Sequence, residues 1–161
     1  MNPVPQHGPA SHAVVSEDAP SRSVTLQSVT GYKLRLDVFE DEPPAWFWRL
    51  VAEANSLLQL PPGWNSHNAA PVPPDAAATG LDIVVRALLL GAPYPHITPL
   101  SSGGLQIAWH EPDLEIEVAV DRAAAVTVWC SESRTGAELE FAEEQGFPRL
   151  LGLVGKLAQP A

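Results

Sequence analysis

Cysteine is almost missing from this chain: Cys130 stands alone among 161 residues. A single thiol closes no intrachain disulfide and rules out a Cys-x-x-Cys metal or redox pair. That usage suits a reducing compartment, so a cytoplasmic location is expected. No apolar run approaches the ~18 residues of a membrane span, and no membrane partner is expected. The start, Met1-Asn2-Pro3-Val4-Pro5-Gln6, lacks the basic and apolar regions of a secretory signal. Charge is scarce at 17% of residues, and basic charge scarcest, with Lys+Arg 9 against Asp+Glu 19. Much of the resulting net charge of −10 falls between 103 and 145. There Glu111, Asp113, Glu115, Glu117, Asp121, Glu132, Glu138, Glu140, Glu143 and Glu144 meet only Arg122 and Arg134. Such a stretch repels a phosphate backbone, which disfavours direct nucleic-acid binding and points to solubility or to a basic protein partner.

Proline is abundant instead, 17 residues in clusters that punctuate the chain. Residues 1–22 are rich in Pro, Ser, Ala and His without a hydrophobic period, and are expected to be a disordered tail. A single domain is expected over 23–161. Val24 and Leu26, then Leu34, Leu36 and Val38, alternate with polar residues around Thr30-Gly31, which predicts a β-hairpin. Phe47, Leu50, Val51, Ala54, Leu57 and Leu58 form one stripe at helical spacing over 45–60, with Trp46 and Trp48 expected at the core edge, the other reading being that one of them is an exposed anchor for a partner. A second helix is expected over 75–90, with Leu81, Val84, Val85 and Leu88 inward. Ile83, Leu89 and Leu90 widen its apolar girth, and Asp82 and Arg86 form an i,i+4 pair.

From 103 to 141 the pattern becomes strict alternation. Leu105, Ile107, Trp109, Leu114, Ile116, Val118, Val120, Ala124, Val126, Val128, Cys130, Leu139 and Phe141 fall on one face. The other face collects Gln106, Glu115, Glu117, Thr127, Trp129, Glu138 and Glu140. An antiparallel meander with one face on helices and one in water is expected. Pro148 opens a last helix with Leu150, Leu151, Val154 and Leu157 inward. The fold class is therefore α+β: a meander of four or more strands with two to three helices packed on one face.

Two places could carry function. The segment 61–74 holds five prolines and a glycine, yet it sets Trp64, Asn65, Ser66, His67 and Asn68 in succession. A loop this long between helices is a candidate contact for a ligand or partner through Trp64, Asn65, Ser66 and His67. The bland alternative is that Trp64 seals the helix pair while Asn65 and Ser66 cap backbone groups. The second place is the solvent-facing side of the meander, where Trp129 sits among Glu115, Glu117, Glu138 and Glu140 as a partner-binding surface. A second subunit, such as another copy of the chain, or the N-terminal hairpin covering Trp129 is the other reading.

No catalytic residue, metal site or cofactor is assigned. Ser66 and His67 are adjacent without an orienting acid, so a triad is not formed by sequence. His67, His96 and His110 lack the spacing of a zinc motif. Cys130 reads as a small inward thiol. Ser101-Ser102-Gly103-Gly104 precedes a strand and reads as a turn, since a phosphate cradle needs a helix N-terminus behind it.

Trp64-Asn65-Ser66 with Ala69 and Pro71-Val72, then Gly103-Gly104-Leu105-Gln106-Ile107-Ala108-Trp109 and Leu114-Glu115-Ile116-Glu117-Val118, carry a resemblance over about residues 60–120. The chain resembles a group of small uncharacterised bacterial proteins with a Gly-Trp-Asp-Ser-Tyr-x-Ala-x-Pro-Ile-like loop and a Gly-Gly-(Val/Leu)-Gln-(Leu/Ile)-x-Trp hairpin. Asn65 and His67 stand where that group usually has Asp and Tyr. The resemblance implies an α+β fold and no particular reaction. The expected function is that of a non-enzymatic, acidic accessory protein, antitoxin-like, immunity-like or a complex subunit, binding a basic protein. The alternative is a small ligand-binding or hydrolytic domain with its pocket at 61–74, using Trp64, Asn65, His67 and His110.

Overall fold

The computed structural model describes residues 22–159. The tail expected over 1–22 therefore lies outside the described residues, apart from Arg22, which opens the first strand. The order is β1 (Arg22–Gln27), β2 (Lys33–Val38), α1 (Phe47–Leu58), α2 (Pro74–Leu89), β3 (His96–Pro99), β4 (Leu105–His110), β5 (Leu114–Val120), β6 (Val126–Glu132), β7 (Ala137–Glu143) and α3 (Pro148–Leu157). The fold is α+β. β3 to β7 form a five-stranded antiparallel meander in chain order, and β1–β2 form a separate two-stranded sheet.

The meander follows from its alternation. Cross-strand partners Ile97, Ile107, Val118, Val128 and Phe141 make one row across all five strands on the inner face. The middle three members, Ile107, Val118 and Val128, are fully buried. Burying each such side chain stabilises the fold by about 1.5–3 kcal/mol, so a one-residue slip, which would turn the row to water, is strongly disfavoured. α2 packs on β4 and β5, and α3 on β5 and β7. At Gly80 the side chain of Leu105 comes so close that a Cβ would collide with it. Gly104 approaches the Val120 carbonyl in the same way, which lets the 101–104 turn enter the sheet.

The helix boundaries have local causes. Pro74 occupies the first position of α2, with Asp75 in its first turn and Arg86 in its last, each favourable to the helix dipole. Arg86 also pairs with Asp82 at 2.9 Å, the i,i+4 bond expected. α3 starts at Pro148, where the Glu143 carboxylate accepts from the Leu150 backbone N–H at 2.6 Å and supplies the missing cap. The hairpin does not extend the meander. It packs on α1 and α2, with Leu26 and Val38 buried. Hydrogen bonds from Val29 N to Leu58 O (2.9 Å) and from Gln59 Nε2 to Gln27 O (2.6 Å) tie it to the end of α1.

The expectations for five residues need correction. Leu89 and Leu90, at the C-terminal end of α2, are 66% and 48% exposed. Trp48 is 50% exposed on the outer side of α1, with the Arg22 guanidinium 5.7 Å from its ring, whereas Trp46 is half-buried against the core. Leu139 has the inward parity but is 45% exposed, since β7 is an edge strand. Ala124 lies in the β5–β6 turn with φ 65° instead of on the inner face.

Both tyrosines pin distant segments. Tyr32 Oη donates to Val72 O at 2.7 Å, and Tyr94 Oη donates to Glu53 at 2.7 Å beneath the Arg49 guanidinium, 3.7 Å from the ring. Burial pushes both phenols above their ordinary pKa, and the Glu53 carboxylate pushes Tyr94 further. A folded chain then holds these protons more tightly than an unfolded one. Stability is full below about pH 10 and falls as pH rises above it. Absorbance titration at 295 nm should show little tyrosinate at about pH 10 in the native chain, half-ionisation in urea, and a shallower alkaline loss of stability in Tyr94→Phe.

Candidate partner-binding site

Because α2 and α3 occupy one side of the meander, the other side is left to residues of opposite parity. Register sets them in rows. His96, Ala108, Glu117, Trp129 and Glu140 are successive cross-strand partners, and His110, Glu115, Ser131 and Glu138 form the neighbouring row. The sequence-predicted residues Trp129, Glu115, Glu117, Glu138 and Glu140 are therefore brought together on one surface. Trp129 stands directly between Glu117 and Glu140.

The strands carry no Lys or Arg on this face. Glu115, Glu138 and Glu140 are exposed, while Glu117 and Trp129 are half-buried. Two polar contacts fall at the β3–β4 side. His110 Nδ1 lies 3.2 Å from Glu115, and Gln106 Nε2 donates to Glu117 at 3.1 Å. The His96 and His110 rings stand 6.0 Å apart, so both histidines gather at one end of the surface and the uncompensated carboxylates at the other. Sequence reasoning did not place His96 on this face, because β3 has only four residues and ends in Pro99, too short for a visible alternation. The Trp129 indole N–H makes no hydrogen bond among the described residues, unlike Trp109, which donates to Pro93 O at 2.8 Å, and Trp64. An amphipathic ring with a free donor, amid charges of one sign, can anchor a cationic or amphipathic partner through packing, hydrogen bonding and cation–π contact.

The loop between α1 and α2 is organised differently. The Trp64 indole donates to Ala70 O at 3.2 Å, and Gly63 N donates to Ala69 O at 2.7 Å. Asn65 Oδ1 accepts from His67 N (2.9 Å) and Ala69 N (3.1 Å), while its Nδ2 donates to Ser101 Oγ at 3.2 Å. Ala70 N donates to Ser101 O at 2.9 Å, so the loop is fastened to the turn before β4. Ser66 and Asn68 take left-handed φ of 65° and 63°, which the Asn65 bonds hold in place. Trp64 and Asn65 thus serve the loop's own closure, and Ser66 and His67 are exposed, His67 Nδ1 lying 2.9 Å from Asn65 O. A carboxylate at position 65 would accept the same two N–H groups.

Two further features have mainly structural chemistry. Asp37 is held below its ordinary pKa by the Ser23 hydroxyl (2.7 Å) and Arg35 (2.6 Å), three groups that brace the hairpin. Cys130 is buried, and burial pushes its thiol upward, away from the reactive thiolate. Among the described residues no group of three or more His, Cys, Asp or Glu could hold a metal ion, and no helix is long and apolar enough to cross a membrane. No protein-family model matches the chain, and neither a curated protein nor a solved structure matches it.

Asn65→Ala removes two accepted and one donated hydrogen bond, leaving strained φ angles without support. A loss of about 1–3 kcal/mol is expected in urea denaturation, with Asn65→Asp retaining most of it.

Proposed function

We propose that this chain is a non-enzymatic interaction protein, an accessory or antitoxin-like subunit that binds a basic protein through the open face of its meander. The observation that carries the reading is the row Glu117–Trp129–Glu140, an aromatic ring whose N–H has no partner among the described residues, set between carboxylates on a face that no described helix covers. Interface energy concentrates in a few residues, Trp and Tyr prominent among them, and complementary charge sets the encounter rate and the partner's sign. A second copy placed face to face would oppose Glu115, Glu117, Glu138 and Glu140 to residues of the same sign, which favours a basic partner over a homodimer. The inward positions are committed to the core, so variation on the outer face can tune recognition without altering the fold. We place this interaction in the cytoplasm, in keeping with the lone, buried Cys130.

The test is recovery of partners from the source cell with tagged chain, followed by quantitative binding of the protein recovered. A stoichiometric basic partner should bind wild type and weaken as salt rises from about 50 to about 500 mM. Trp129→Ala should cost about 2 kcal/mol of binding, and the pair Glu117→Gln with Glu140→Gln should mainly slow association. A partner insensitive to all three substitutions and to salt would overturn the reading.

A further inference from the structure

We propose that the free edge of β7 takes up an extended, basic segment of the partner as a sixth strand. This rests on the reading of the open face as a partner surface and specifies how the partner is held. β7 is seven residues long, and β6 is its sole neighbour in the sheet among the described residues. No backbone–backbone hydrogen bond from outside the sheet reaches residues 137–143 there, although the Ala137 N–H donates to Thr135 Oγ1 at 3.2 Å. An edge of this kind presents a row of main-chain donors and acceptors that templates another strand.

The side chains along the edge say which strand fits. Glu138 and Glu140 stand on the open face two residues apart, the pleat's own repeat. Leu139, between them, projects to the opposite side and is 45% exposed. One turn of the pleat further on, Phe141 is covered by the Arg149 guanidinium at 3.7 Å. A segment laid alongside would set a Lys or Arg opposite each carboxylate and an apolar residue opposite Leu139, the pairing that stabilises neighbouring strands. The same carboxylates disfavour pairing of β7 with a second copy of itself, where Glu138 and Glu140 would meet acids of like charge. The other edge is poorer: β3 has four residues and ends at Pro99, which has no N–H to donate.

The experiment uses the full chain and a capped heptapeptide, Lys-Val-Lys-Val-Lys-Val-Lys, followed by calorimetry and by hydrogen exchange read by mass spectrometry. A peptide of the same composition with its lysines and valines in two blocks serves as control. The inference predicts binding of the alternating peptide, slowed exchange confined to 137–143, and affinity about tenfold weaker for the block peptide and for Glu138→Gln with Glu140→Gln. Those two positions are exposed, so the variant is expected to fold, and unchanged exchange elsewhere verifies it. Binding with exchange at the outward-facing amides of 137–143 unaltered, or exchange at those amides already slow in the free chain, overturns the edge inference. If the alternating peptide fails to bind while a native basic partner still binds through Trp129, the edge inference falls and the proposed function stands. Failure of both the peptide and any basic partner to bind overturns the two together.

Discussion

The cross-strand row Ile97–Ile107–Val118–Val128–Phe141 is the constraint on which the rest of the molecule depends. It fixes register, because pleating sends alternate residues to opposite faces and the inner ones can be buried in one alignment alone. Once that row is turned toward α2 and α3, the outer residues have no choice of position. Glu117, Trp129 and Glu140 become neighbours because they are register partners one step away from Val118, Val128 and Phe141. The acidic surface is thus a consequence of the core, and the two cannot be shifted independently.

Period-two alternation is strong evidence wherever strands exceed about six residues, and here it made β4 to β7 and their inner face readable from residues 105–141. The helices were legible to within two or three residues, since Pro44, Pro74 and Pro148 mark their starts and Gly91 follows α2. Other features lay beyond local pattern. β3 is too short to show a period. Whether the hairpin joined the meander depended on the bonds from Val29 and Gln59 to distant segments. The exposure of Leu89, Leu90, Trp48 and Leu139 depended on what lies opposite them, which no window of sequence contains. Likewise, the cap that Glu143 gives α3 spans seven residues and crosses a left-handed Phe147.

The two candidate surfaces drawn from the sequence have separated physically. At 61–74 the unusual composition has a structural explanation: Asn65 closes two backbone bonds, Trp64 a third, and Ser101 ties the loop to the meander. Sequence could name Trp64 and Asn65 as aromatic and polar but could not say that their hydrogen bonds go to the loop's own backbone and to Ser101. The sheet face, by contrast, keeps its capacity among the described residues: an indole donor without a partner, Glu138 and Glu140 without a cation, and an open strand edge beside them.

The sharpest measurement follows the indole N–H resonances of the five tryptophans, assigned by single Trp→Phe substitutions, while the basic partner is added. Trp129 should shift and Trp109, buried and bonded to Pro93, should stay in place. Movement of Trp64 with Trp129 unchanged would contradict the assignment of the interface to the sheet and return it to the loop.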